Sequence, residues 1–393
     1  MSLPLDGLVV VAFEQAVAAP MCTRNLGDLG ARVIKIEHPR GGDFTREFDD
    51  VVNGMSSMFV WINRNKESLS LDARTPEGAA VLDRLLPKAD IVVQNFAPGA
   101  ARRLGVDAET LVERFPRLIA VDISGYGVGG PYDHKRAYDL LVQSEAGSCS
   151  ITGTPGAPAK PGIAVADVGT GLYAFSSILA ALYQREKSGQ GAAIAISLFD
   201  VITDLMGFAL QYTMATGEER PPNGLSSPAV APYGGYPTSD GKTVVLGTTN
   251  DAEWQRLCLQ VLDRPDLAAD ERYRRNVDRC KDRATLDAAI TSWARQRTLA
   301  EIQQIADDAG IGNGTYNEVR DVIDHPQLHQ RGRWVDIESP AGTLRELLSP
   351  PIVSGWDQRT DAVPAVGQHT DAILTELGYD ASAIGSLHAS GVV

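Results

Sequence analysis

Leu8-Val-Val-Val-Ala-Phe13 is a short unbroken apolar run with β-branched residues at its centre. That is the pattern of a strand buried on both faces. Ala18 to Leu29 carries helical spacing and is closed by Gly30, a residue suited to ending a helix. Arg32-Val-Ile-Lys-Ile-Glu37 is a second strand. Strand, helix and strand with short connections form a βαβ unit, the seed of a parallel sheet. The first connection, Glu14 to Pro20, lacks Gly-x-Gly-x-x-Gly, so no nicotinamide or flavin cofactor is expected.

The alternation continues downstream. Ser68 to Asp72 reads as a strand, and Thr75-Pro-Glu-Gly78 opens a helix that runs to about Leu86, with proline in its first turn. Asp90 to Gln94 is another buried strand, ending in Asn95-Phe-Ala-Pro-Gly99. A helix near Ala108–Phe115 leads to the strand Leu118–Ile123. The fold class expected is α/β, with an open parallel sheet. Ligands of such sheets sit beyond the carboxyl ends of the strands. The segments there are 14–20, 38–46, 95–99 and 124–139.

A short helix at Leu140–Ala146, a strand at Ala192–Phe199 and a helix near Val201–Met214 complete the first region. Residues 216–228 have no apolar periodicity and read as a linker. Asp240-Gly241 before Thr243-Val-Val-Leu-Gly247 predicts a hairpin. Helices at 252–262, 282–295 and 299–309 make a smaller α+β domain. Asp324–Arg333 begins a return, which ends in irregular strands and a last helix at Ala372–Leu377.

Between Pro161 and Tyr183 the only ionisable carboxylate is Asp167, set among small and apolar residues with Gly169 and Gly171 after it. Two readings stand side by side. Asp167 is a helix N-cap, satisfying backbone N–H groups of the first turn. Alternatively it is a reactive carboxylate, with the glycines leaving room for a substrate.

Composition narrows the function. The chain has 393 residues, and its net charge of −14 argues against nucleic acid as a partner. The four cysteines are far apart, without Cys-x-x-Cys, so neither disulfides nor a zinc site is expected, and a reducing cytoplasm fits. No metal is expected from the six histidines. Neither a membrane span nor a secretory signal is indicated.

The motifs in order resemble the family III coenzyme A transferases (CaiB/BaiF type). That group contains formyl-CoA:oxalate and carnitine CoA-transferases and, as a divergent branch, 2-methylacyl-CoA racemases. The resemblance spans nearly the whole chain. It rests on Ala18-Ala-Pro20, Leu29-Gly-Ala-Arg-Val-Ile-Lys-Ile-Glu37, Gly42-Asp43, Asn65-Lys66, Asn95-Phe-Ala-Pro-Gly99, Gly125-Tyr-Gly, Asp167 with Gly171, His325-Pro-Gln-Leu and Gly367-Gln-His-Thr370.

It implies a Rossmann-like large domain built from both chain ends (1–215 and 325–393), a small α+β domain between them (229–324), and two chains interlocked as a homodimer. It also implies CoA transfer from an acyl-CoA to a carboxylic acid, with coenzyme A as substrate and no cofactor. Asp167 stands at the nucleophile position, acting through aspartyl anhydride and aspartyl-CoA thioester intermediates. Ala16, Val17, Ala18, His38, Lys66, Asn95, Phe96, Arg103, Leu104 and Arg136 stand at CoA-contact positions. Tyr138 and Asp139 are expected to position the acceptor acid or the acyl group, or else to serve helix-start packing and capping; Gly234 and Gly235 match a loop that covers the site in the family, or else form a plain turn. The racemase branch needs a histidine where this chain has Tyr138, whose ordinary pKa of about 10 suits α-proton abstraction poorly. The transferase is therefore the expected activity, with a 2-methylacyl-CoA racemase or a non-catalytic acyl-CoA-binding protein as the alternatives. Arg24, Arg46 and Arg64 are candidates for the second carboxylate of a dicarboxylic substrate, with succinyl-CoA as a candidate donor.

Overall fold

In the computed structural model, which describes residues 2–393, the apolar runs form β1 (Val9–Phe13), β2 (Arg32–Glu37), β3 (Lys66–Ser70), β4 (Ile91–Gln94) and β5 (Ile119–Ser124). After a small hairpin of β6 (Gly153–Thr154) and β7 (Ala157–Pro158) comes β8 (Ala192–Ser197). Six strands make one sheet in the order β3-β2-β1-β4-β5-β8, all parallel. The chain builds outward from β1 to β3, then returns to place β4 on the other side of β1. The order therefore reverses between β1 and β4, which is where open α/β sheets bind ligands.

Period-two alternation splits the strand residues between two cores. Val11, Phe13, Ile34 and Val92 join one cluster, together with Leu374 and Leu387 from the end of the chain. Val10, Ala12, Val33, Ile91 and Val93 join the other, with Ala18, Cys22, Ala174 and Ile178. The free edge of β3 is covered by Gly367–Thr370. His369 exchanges bonds with the Ser68 backbone, and Thr370 Oγ1 accepts from Ser70 N at 2.9 Å. This gives the Gly367-Gln-His-Thr370 motif a structural task, since an exposed strand edge invites unwanted pairing.

The helices that matter for the site are α1 (Ala18–Asp28), α2 (Ser57–Ile62), α3 (Pro76–Leu85), α4 (Ala100–Leu104), α5 (Ala108–Arg114), α6 (Asp139–Glu145), α7 (Val165–Ser188), α8 (Leu198–Leu205) and α9 (Gly207–Thr216). The single helix expected at 201–214 is two, broken between Leu205 and Gly207. Helix α2 was not expected, because six residues are too few to show a period.

The chain divides into two compact units, with boundaries at 149/150, 159/160, 219/220 and 329/330. The first holds residues 1–149, 160–219 and 330–393; the second holds 150–159 and 220–329. The β6–β7 hairpin thus belongs with the second unit, as the bond from Gly224 N to Gly153 O (2.7 Å) shows. That unit has an antiparallel sheet of β9 (Tyr233–Pro237), β10 (Thr243–Gly247) and β11 (Gly312–Thr315) in the order β11-β10-β9. Helices around Trp254, Tyr273, Leu286 and Ile302 bury its core.

Helix α7 is long and apolar enough to cross a membrane by length and composition. In the fold it packs along α1 and α8, and its Arg185 is buried against Asp90, 3.2 Å away.

Candidate active site

The carboxyl ends of β1, β4, β5 and β8 open into a cleft of about 680 Å³. Gln15 to Ala18 and Asn95 to Pro98 form its floor on the two sides of the order reversal, and Ser124 and Gly125 border it at the end of β5. Phe44, Phe48 and Met58 give it an apolar wall; Arg136, Tyr138, Asp139, Lys160 and Asp167 give it polar groups.

The floor is held by side chains. Asn95 Oδ1 accepts from Gln15 N at 2.9 Å, and Asn95 Nδ2 donates to Gln15 O at 2.8 Å. This reciprocal clamp ties the two loops together. Ala16 has φ of +62°, a conformation disfavoured for a residue with Cβ, and its N–H donates to Asp43 Oδ1 at 3.3 Å. Asp43 is fixed in turn by Lys35 Nζ at 2.8 Å. Burial works against charge on Asp43, but the Lys35 ammonium and the Thr45 donors overcome it and keep its pKa below the ordinary value.

Asp167 lies in the first turn of α7 without being its N-cap. The flanking residue is Ala164, which has no capping side chain. The cap comes from another helix: Asp139 Oδ1 accepts from Ala166 N at 3.1 Å and Asp167 N at 3.4 Å. Asp139 Oδ2 accepts from Gln143 Nε2 at 2.7 Å and pairs with Lys160 Nζ at 3.2 Å. The Asp167 carboxyl is left to face the cleft. Burial, and then the neighbouring charge of Asp139, raise its pKa to about 7, while Lys160 pulls the other way.

Gly169 and Gly171 do something other than clear a path for substrate. A Cβ on Gly171 would meet Ala18 O at 2.6 Å and Met21 Cβ at 2.8 Å; one on Gly169 would meet Val201 Cγ1 at 3.1 Å. They let α7 lie close against α1 and α8.

The remaining expected residues separate by place. Ala16, Val17, Ala18, Asn95, Phe96, Arg136, Tyr138 and Asp139 come together at the cleft with Asp167. Phe96 also stacks at 5.9 Å on Phe13 below it. Arg136 and Tyr138 are exposed there. His38 stands outside the lining, bound to Arg40 N and Arg74. Arg103, exposed, and Leu104, packed against the core, lie on α4 just beyond Pro98.

Lys66 is out of a ligand's reach. It is buried, and its Nζ meets Glu14 Oε1 at 2.6 Å, Pro20 O at 3.0 Å and Asn63 Oδ1 at 3.0 Å. An ammonium has three N–H groups, and all are used. Burial lowers its pKa to about 8 in spite of Glu14.

Arg24, Arg46 and Arg64 are likewise withdrawn. Arg46 forks onto Glu37 at 2.8 and 2.7 Å; Arg64 forks onto Asp28 at 3.0 and 2.8 Å and reaches Glu346 at 2.9 Å. Arg24 sits in the same buried network, 3.7 Å from Asp28. Basic residues in the sequence gave no sign that buried acids would claim them.

Gly234 and Gly235 are in strand β9, opposite Leu246 and Val245 of β10, and so are not a loop. A Cβ on Gly235 would lie 2.4 Å from Leu225 Cδ2, so a side chain there would have to displace the end of that half-exposed leucine.

Phe44, Phe48 and Lys160 were missed as lining residues. Two aromatic residues in an otherwise polar loop, and one lysine between prolines ahead of an apolar stretch, were the available signals.

The chain is similar to known proteins over nearly its whole length. The model of CoA-transferase family III matches residues 5–370. A succinate–glutarate CoA-transferase of Agrobacterium fabrum is 35% identical over 95% of this chain and 96% of its own length. The human succinyl-CoA:glutarate CoA-transferase is 32% identical over 99% and 90%. The crystal structure of a CaiB/BaiF family protein from Brucella suis superposes with a TM-score of 0.82 at 35% identity, covering 96% of this chain and all of that one. The chain belongs to CoA-transferase family III and is a CoA-transferase.

Proposed function

We propose that the enzyme moves CoA from succinyl-CoA to a dicarboxylic acid by covalent catalysis at Asp167. One observation carries the reading: a largely buried carboxylate at the start of α7 faces a cleft at the order reversal of the sheet. The ionised Asp167 attacks the thioester carbonyl and expels CoA thiolate, leaving a mixed anhydride. The thiolate attacks the aspartyl carbonyl, releases the donor acid, and forms an aspartyl-CoA thioester. The acceptor carboxylate attacks that thioester, and the returning thiolate completes the new acyl-CoA and frees Asp167. Each step is a substitution at an acyl carbon, divided by a covalent intermediate.

The cleft suits this sequence. Its apolar wall limits water at the anhydride. Among the described residues Arg136 has no ion pair, which supports a role in meeting CoA phosphates, with Arg103 on α4 as a second cation. Phe96 borders the pantetheine or adenine, and Tyr138 orients the acid. The glutarate relatives support a C5 dicarboxylic acceptor.

Two copies form the working enzyme in this proposal. Along α7 to α9, Leu172, Tyr183, Leu205 and Met214 are 48, 67, 51 and 69% exposed. These apolar side chains suit a self-association face better than water.

The test mixes enzyme, succinyl-CoA and glutarate, and follows acyl-CoA products and enzyme-bound CoA by mass spectrometry. Wild type exchanges CoA and carries a CoA adduct on Asp167; Asp167→Ala does neither. Full exchange by that variant would sink the mechanism.

A further inference from the structure

With Arg24, Arg46 and Arg64 withdrawn, the cleft has three cations: Lys135, Arg136 and Lys160. They differ in what they can do. The Lys135 ammonium lies 3.4 Å from the centre of the Tyr132 ring and 3.8 Å from Glu145. Arg136 is exposed. Lys160 is tied to the nucleophile's own support, because Asp139 pairs with Lys160 through one oxygen and accepts from Asp167 N through the other.

The chemistry makes a demand here. The acceptor is an anion, and it must approach an acyl carbon beside the Asp139 carboxylate. Two like charges about 4 Å apart cost roughly 4 kcal/mol at an effective dielectric of about 20. An unassisted acid would be turned away. Lys160 Nζ has three N–H groups; it donates to Pro161 O at 3.1 Å and pairs with Asp139 Oδ2 at 3.2 Å, so these contacts engage two at most. One remains for a ligand. The saturated ammonium of Lys66 has none.

Building on the Asp167 mechanism, we infer that Lys160 is a further catalytic residue. It receives the attacking carboxylate of the acceptor acid with its third N–H while holding Asp139 with another. By the same contact it holds the donor acid as it leaves. The charged groups facing Asp167 are Asp139 on α6 and Lys160 on the incoming loop, with Lys135 and Arg136 completing the charged lining. Removing Lys160 therefore leaves Asp139 opposed only by these, and Asp167 becomes harder to ionise.

A single-turnover experiment tests this. Enzyme is loaded with CoA from succinyl-CoA, freed of excess donor, and chased with glutarate, with the Asp167 adduct followed by mass spectrometry. In Lys160→Met the second-order rate of the chase falls about 10²-fold, as for loss of one donor to a reacting oxygen. The acidic limb of its pH profile moves to higher pH. Lys160→Arg recovers most of the rate and returns the limb. Lys160 is 32% exposed, so the variants should fold, and Lys160→Gln offers the same loss of charge if the methionine does not. A wild-type chase rate with an unmoved limb in the uncharged variants overturns the assignment. Failure of wild type itself to form an adduct overturns the Asp167 mechanism, and this role with it.

Discussion

Asp167 gathers opposing effects whose sizes can be compared. Placement in the first turn of a helix favours its charge by about 0.3–1 kcal/mol. A pKa raised from 3.8 to about 7 is a shift worth roughly 4 kcal/mol against that charge. Burial and Asp139 therefore win. As the proposed nucleophile, Asp167 is ionised above about pH 7, so the rate of adduct formation should rise with pH through that value and level off. Asp139→Asn keeps an oxygen to cap α7 but removes the like charge and leaves Lys160 unpaired. Both changes favour ionised Asp167, so the acidic limb should move to lower pH. A pH profile of adduct formation for the two proteins checks this; a limb that stays in place or moves upward contradicts it. The solitary carboxylate in an apolar stretch marked Asp167 in the sequence. Nothing there marked its cap, because Asp139 and Ala166 are 27 residues apart.

Helix α7 depends on close approach to its neighbours. At Gly171 a methyl would press on a backbone oxygen, Ala18 O, which cannot turn aside. At Gly169 it would meet the side-chain ends of Val201 and Leu205 at 3.1 and 3.2 Å, and these have room to adjust. Gly171→Ala should therefore destabilise the fold by about 1–3 kcal/mol, the usual range for overpacking, and Gly169→Ala by less. Thermal or denaturant unfolding of both would show it, and equal stability of the two variants would contradict it. Because α1 begins directly after the cleft floor, Gly171→Ala should also weaken CoA-ester binding. The glycines were legible as unusual in the sequence. Their purpose was not, since a glycine that admits a substrate and one that admits a helix look alike until the neighbour is known.

Across the chain, charge is organised into closed groups. Asp28, Arg64 and Glu346 draw the chain's return into the body of the first unit, and Glu14, Lys35, Lys66 and Asp43 hold the cleft floor from beneath. The cations left for substrates are consequently few. At the same level stands the proposed dimer. Light scattering should give about twice the chain mass, and Leu172→Glu with Leu205→Glu should shift it toward monomer. A chain mass in the unaltered protein would remove the self-association proposal.

Local regularities carried the α/β class, the strand positions and the interruption by a smaller region. Apolar runs, helical spacing and short connections act between near neighbours, so sequence preserves them. The same holds for Asp167, whose isolation among apolar residues is a local fact. The tertiary structure alone separated the usable cations from the captive ones, supplied the cap of α7 from Asp139, and turned Gly169 and Gly171 from substrate clearance into helix contacts. Each of these depends on a pair of residues far apart in the chain and close in space. Whether a charge is free is a property of its surroundings, and those are assembled when the sheet brings its strand ends together.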